Sequence, residues 1–223
     1  VAGNASAAST AISYVLDTAK PATPSLALGT DSGSKNDDGI TNANTVNVTG
    51  LEADAKWEFS LDNGANYTTG TGSSFQLTDN TSYAAGTIKV RQTDKAGNVS
   101  EVGSNAIAFV EDSTAPSAPT IDVIDASDSA GTSNTDNLSN VKTPTVQVSL
   151  TGTGAAAGDV VKLLSGTTEV GSATLTQAQV TAGSVDITAS DLGADGAKSL
   201  TATITDVAGN ASAASTAISY VLD

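Results

Sequence analysis

Residues 1–17 read VAGNASAASTAISYVLD, and residues 207–223 read the same, letter for letter. Identity over that length is not chance. It marks a tandem array, and self-similarity of this kind governs how every other stretch is read. Within the stretch, Ile12, Tyr14 and Leu16 alternate with their neighbours. A period of two with one apolar face predicts a half-buried strand. The chain is therefore expected to be a piece of a long repetitive molecule, cut so that it opens and closes on the same strand.

Outward from the first copy, the chain continues Asp17-Thr18-Ala19-Lys20-Pro21-Ala22-Thr23-Pro24. Asp112-Ser113-Thr114-Ala115-Pro116-Ser117-Ala118-Pro119 repeats that pattern. Two prolines at fixed spacing make a stiff, extended joint. Domain boundaries are placed at these joints. Residues 1–17 are then the last strand of an upstream repeat, 18–111 one domain and 112–223 another. In the first domain, strands are expected at 25–28, 45–49, 56–61, 74–77, 87–93 and 106–110. Trp57, Phe59 and Leu61 alternate with Lys56, Glu58 and Ser60, which are expected on a wet face. Asp62-Asn63-Gly64 signals a hairpin. In the second, strands are expected at 120–124, 145–150, 159–165, 169–174, 184–188, 198–205 and 214–221, with a short helical turn at 176–180. Strand and turn spacing of this kind over about 100 residues suits a β-sandwich of immunoglobulin type.

Composition narrows the functions open to such a chain. Its 223 residues carry 9 Lys plus Arg against 24 Asp plus Glu, a net charge of −15. That surface repels nucleic acid and anionic membrane and attracts cations. No apolar run approaches a membrane span. Cys, His and Met are absent, which excludes thiolate or imidazole zinc sites and nucleophiles that rely on His or Cys. Aromatics are 4% of the chain, so Ala, Val, Ile and Leu must fill the cores, with Trp57 as a core anchor. Cores of that sort are small, and without disulfides they need another staple.

The domains are cousins rather than copies. Each ends with Thr-Asp-x-Ala-Gly-Asn before its last strand, at Thr93 to Asn98 and at Thr205 to Asn210. The first also carries Asp31-Ser32-Gly33-Ser34 and Asp38-Gly39-Ile40-Thr41-Asn42 after its first strand. Together with the Asp112-to-Pro116 joint, these motifs resemble the tandem bacterial immunoglobulin-like domains of giant adhesins, the RTX-type and biofilm-associated surface proteins. The resemblance covers the whole chain. The sequence departs from the pattern at Lys20, at Asp128-Ser129-Ala130-Gly131 and at Leu138-Ser139-Asn140. The resemblance implies an all-β chain of tandem immunoglobulin-like sandwiches arranged end to end as a rod.

In a sandwich of that topology, the loop before the last strand returns to the end where the chain enters. Asp94 and Asn98 are therefore expected beside Asp17, and Asp206 and Asn210 beside Asp112. The loop after the first strand lies at the opposite end, so Asp31, Asp37, Asp38 and Asn42 are expected to face Asp112. Crowded carboxylates repel unless protonated or bridged by a cation. Ca2+, with six to eight oxygen ligands in flexible geometry, suits such loops better than Mg2+. Asp, Asn, Ser and Gly are also the ordinary turn formers, and for any one loop aspartate that reading stands beside the metal reading. The paired Asp37 and Asp38 could imitate glycosidase acids, but they sit on a polar loop without a pocket signature.

The expectation is a non-enzymatic extender region, extracellular at the bacterial cell surface. It would be rigidified by Ca2+ at its joints and would project a distal ligand-binding domain for adhesion or biofilm formation. Its partners would be neighbouring repeats of the same chain, and it would be a monomer with no nucleic acid and no membrane insertion. The competing expectation is that the domains themselves bind a host, carbohydrate or ice surface. That reading wants a regular Thr or aromatic array, which the strands lack.

Overall fold

A computed structural model describes residues 2–128 and 135–223. Of the departing motif, residues 129–131 lie outside the described residues. The first repeat contributes β1 (Ser25–Leu28), β2 (Ile40–Thr41), β3 (Thr45–Thr49), β4 (Lys56–Ser60), β5 (Thr68–Thr69), β6 (Ser74–Gln76), β7 (Ser82–Tyr83), β8 (Lys89–Thr93), β9 (Gly103–Ser104) and β10 (Phe109–Glu111). The second contributes β11 (Thr120–Val123), β12 (Leu138–Ser139), β13 (Thr145–Ser149), β14 (Val160–Ser165), β15 (Thr168–Thr174), α1 (Gln177–Ala182), β16 (Ser184–Thr188), β17 (Gly196–Thr205) and β18 (Ile218–Leu222). Sequence periodicity finds the longer strands. It misses β2, β5, β7, β9 and β12, because two residues show no period.

By compactness the chain forms two units. One is Val1–Ala27, Asn47–Phe75 and Ala85–Ala106; the other is Leu28–Val46, Gln76–Ala84 and Ile107–Asp223. The second unit thus takes in the loops at one end of the first repeat as well as the whole second repeat.

In the first unit, the strands order as β5-β4-β8-β9. Trp57 lies opposite Gln92 and Phe59 opposite Val90, so these four share a face. The Phe59 and Phe75 rings stack at 4.3 Å, and Trp57 donates its indole N–H to the Gly72 carbonyl at 3.0 Å. A Cβ on Gly70 would stand 2.2 Å from the Trp57 ring, so only glycine lets the chain pass there. Buried Gln92 is a polar staple. Its Oε1 accepts from Glu52 N, and its Nε2 donates to Ala22 O and Gly50 O. Ser60, expected on the wet face, is buried instead. The loop that follows folds over it: Ser60 Oγ donates to Asp62 Oδ1 at 2.6 Å and accepts from Gly64 N. Asn63 and Gly64 both have positive φ, as the Asp-Asn-Gly hairpin signal requires.

In the second unit, two sheets enclose one core. One orders β11-β13-β16 and the other β12-β18-β17-β14-β15. Val146, Val148, Val185 and Ile187 from the first sheet meet Val161, Leu163, Leu200, Ala202, Ile204, Tyr220 and Leu222 from the second. Alternation along β13, β14, β16, β17 and β18 puts each of these on the inner face. β18 lies inside the larger sheet, antiparallel to β17 and parallel to the edge strand β12. The expected helical turn is α1, with a capping box between Thr176 and Gln179 and Gly183 left-handed at its end. Also in this unit, β2 pairs parallel with β10, and β7 pairs antiparallel with it.

The repeated 17 residues take two forms. At 207–223 they end in β18, with Tyr220 and Leu222 at 0% and 2% exposure. At 2–17 no strand forms, and Ile12, Tyr14, Val15 and Leu16 are 92%, 81%, 85% and 72% exposed. The expectation of a half-buried strand there is corrected. A strand is stabilised by its ladder partners, and the second copy has β17 and β12 while the first has neither.

Candidate functional site

The two joints share one local design. Asp17 Oδ1 accepts from Ala19 N at 3.0 Å, and Asp112 Oδ1 accepts from Thr114 N at 3.0 Å. Each joint aspartate therefore turns the chain toward its prolines, an Asx-turn role. The Asp-x-Ala-Gly-Asn loops are near-superimposable in their bonds. Asp94 N donates to Asn98 O, and Asp206 N to Asn210 O. Asp94 Oδ1 and Oδ2 accept the backbone and side-chain N–H groups of Asn98. Asp206 takes both from Asn210 in the same way, each at 2.8 Å. Gly97 and Gly209, at φ +98 and +96, close the turns.

Each asparagine then reaches the joint. Asn98 Nδ2 donates to Asp17 O at 3.2 Å, and Asn210 Nδ2 donates to Asp112 O at 2.8 Å. The placements inferred for Asp94, Asn98, Asp206 and Asn210 beside Asp17 and Asp112 are those found. Hydrogen bonds from Asn98 hold the Asp94 carboxyl below its ordinary value.

The Asp112 joint has more. Asp159, at the start of β14, is 2% exposed. Its Oδ2 accepts from Ala156 N at 2.8 Å, while its Oδ1 is buried without a partner. Burial, first, and the Asp206 and Asp112 carboxylates push the Asp159 carboxyl up, against the backbone N–H groups of Ala156 and Val207, which pull it down. All three line a cavity of about 310 Å3 with Thr114, Pro116 and Thr153. Alongside lies a second buried acid, Glu111, whose carboxylate accepts from Asn80 N. Asn80 Oδ1 in turn accepts from Ser113 N and Thr114 Oγ1. At the Asp17 joint the residue before β4 is Ala55, so no acid corresponds to Asp159 there.

The loop after β1 also arrives. Ser32 Oγ donates to Ala208 O at 2.6 Å. Gly33, at φ +90, lies so close to Val207 that a Cβ would stand 2.0 Å from its carbonyl oxygen. Asp112 N donates to Thr41 O. Asp31 Oδ2 accepts from Gly39 N and pins the loop shut, and its Oδ1 is buried without a partner. Asp38 Oδ1 accepts from Ile40 N, a local turn bond, and Asp37 is exposed. The acidic stretches thus converge as loops. Among the described residues, however, no three acidic side chains form a group that could hold a metal ion as they stand.

Sequence reasoning passed over Asp159, Glu111 and Asn80. Asp159 sits on the loop preceding β14, which lies at the same end of the sandwich as the Asp206 loop.

The family model for bacterial Ig-like domains matches residues 17–112 and again 114–223. The chain belongs to the bacterial Ig-like domain family. No curated protein matches it. Among solved structures, the bacterial Ig-like pair is similar to the chicken CNTN1 FN1–FN3 domains, at 13% identity over 91% of this chain and 69% of that one, TM-score 0.48. Two bacterial structures also match. One comes from work on host cell surface retention of a 1.5-MDa ice-binding adhesin, at 21% identity over 91% of this chain and 64% of that one, TM-score 0.34. The other is a tetra-tandem repeat in the extending region of a large adhesion protein, at 20% identity over 91% of this chain and 49% of that one, TM-score 0.32. Among the described residues, no helix of the bacterial Ig-like repeats is long and apolar enough to cross a membrane.

Proposed function

We propose that these bacterial Ig-like repeats are spacers of a large extracellular bacterial surface adhesin. Their work is mechanical, holding a distal ligand-binding domain away from the cell, with Ca2+ at the joints setting stiffness. The observation that carries this reading is Asp159. A buried carboxylate oxygen without a partner, facing two further carboxylates, is unfavourable without a cation. The donors fit a hard ion, being all oxygen: Asp159, Asp112 and Asp206, which line one cavity. When bound, Ca2+ would supply the positive charge that lets these groups sit together. The protein's own part is to hold the loops in register through Asn210 and Ser32. In a linear array with only neighbour contacts, stiffness resides in such joints.

Asp17, Asp94 and Asn98 form the corresponding, weaker candidate, since no buried acid supports them. Asp31, Asp37 and Asp38 serve the loop between them. The test is thermal melting in excess chelator and in millimolar Ca2+, with small-angle scattering of the loaded chain. A ligand that binds only the folded form raises stability by RT ln(1 + [L]/Kd), so Ca2+ is expected to raise the melting temperature. An unchanged melting temperature would remove the ion. A maximum dimension equal to that of a compact globule would remove the spacer role.

A further inference from the structure

In both repeats the last strand is gripped by a partner that runs parallel to it. β10 pairs parallel with β2, and β18 with β12. β2 and β12 come early in their repeats, while β10 and β18 come last. Tension along the chain therefore pulls the early strand from its first residue and the last strand from its final one. Parallel strands pulled from those ends slide past each other, so every bond of the ladder is loaded at once. Each repeat stays folded under load for as long as its last strand is held.

The two last strands are held unequally. In β18, Ile218–Leu222 are all in register with Gly196–Leu200 of β17, and Val221 and Leu222 also pair with β12. Tyr220 and Leu222 belong to the core, and the Tyr220 hydroxyl donates to Val141 O at 2.6 Å. β10 is shorter. Two of its residues pair with β2 and two with β7, itself only two residues long. The cause lies in the sequence before β8. Where β17 runs unbroken from Gly196 to Thr205, the first repeat has Ala84-Ala85-Gly86, and Gly86 takes φ +77. A left-handed glycine interrupts a strand. The ladder is split there into β7 with β10 and β8 with β9. Asn105 bridges the gap, its Oδ1 accepting from Ile88 N and its backbone O from Gly86 N.

We propose that the first repeat is a mechanical fuse: under tension β10 slips from β2 and β7, and the first repeat opens while the second stays folded. Its use to the molecule rests on the spacer reading. Fully extended, residues 18–111 reach roughly 320 Å, so one opening adds slack and caps the load on whatever the array holds. The order of opening follows from the two ladders and needs no ion. Forced opening is governed by the unfolding rate. A factor of ten in that rate takes only one or two hydrogen bonds' worth of barrier, and the ladder of β10 is short of that of β18 by more.

The test is a constant-force experiment on the full chain, held by its two ends, in excess chelator. Two steps are expected, one of roughly 320 Å of contour for residues 18–111 and one of roughly 380 Å for residues 112–223. The shorter step is expected first, at a rate about tenfold or more above that of the longer. The variant Ile40→Cys with Val110→Cys assigns the steps independently, because these residues are matched in the β2–β10 ladder and the chain has no other cysteine. Its disulfide, verified by thiol titration, shuts residues 41–109 off from extension. The early step is expected to shrink or vanish in the oxidised variant and to return in reductant. The inference is overturned if the longer step comes first, if both steps have one rate, or if the early step keeps its length with the disulfide closed. The spacer role is judged by the maximum dimension in scattering, which none of these outcomes changes, so the two readings fail separately.

Discussion

Asp159→Asn is expected to stabilise the chain in chelator and to lose its advantage in Ca2+. Without a cation, the wild-type side chain carries a buried orphan oxygen beside Asp206 and Asp112. An unsatisfied buried polar group costs about 1–3 kcal/mol. Asparagine keeps one oxygen for Ala156 N and turns an N–H toward the two carboxylates, so most of that cost is relieved. A domain of this size shifts its melting temperature by roughly 4 °C or more per kcal/mol. The variant's second sandwich should therefore melt several degrees above wild type in chelator. With Ca2+ at about 100 times its Kd, wild type gains about 2.7 kcal/mol, and the order reverses because the variant lacks the ligand. The pH dependence has a definite sign. A carboxyl raised in the fold binds more protons there than when unfolded, so in chelator wild-type stability falls as pH rises from the ordinary value of 3.8 through the folded one. That part of the slope is absent in Asp159→Asn. The assay is calorimetry in chelator and in Ca2+ over this pH range. A variant less stable than wild type in chelator, or one with the same Ca2+ response, would refute the reasoning.

Three further outcomes are expected. Gln92→Ala leaves Glu52 N, Ala22 O and Gly50 O without their buried partner; it should cost about 3 kcal/mol or more, read as a fall in the denaturation midpoint of the first repeat with the second unchanged. Gly33→Ala forces a Cβ against the Val207 carbonyl at positive φ, so amide exchange across residues 32–42 should quicken as the Ser32–Ala208 bond breaks, and unchanged exchange would count against that contact. Asp62, held down to about 2 by hydrogen bonds from Ser60 and Asn66, should show a carboxyl titration midpoint near that value by NMR. Its contribution to stability is present above 3.8 and lost as pH falls through about 2, and Asp62→Ala should lack that acid-limb loss.

What could be read from the chain alone follows from where each residue's partners lie. The strands expected at 145–150 and 198–205 needed only local period, and their alternating Val146, Val148, Leu200, Ala202 and Ile204 lie in the core. Asp94, Asn98, Asp206 and Asn210 were placed correctly because sandwich topology returns the loop before the last strand to the entry end. Ser60 was not, since its burial depends on how Asp62 and Asn66 fold back over β4. Asp159 was not, since a strand-initial aspartate looks like any turn residue until its orphan oxygen is seen. The repeat makes the limit plainest. Tyr14 and Tyr220 have identical neighbours for many residues in sequence, so no local rule can tell them apart, yet one is exposed and the other has no exposed surface. The difference lies wholly in β17 and β12, which pair with the second copy. The last strand of the second repeat is thus specified by the strands that accept it as much as by its own residues.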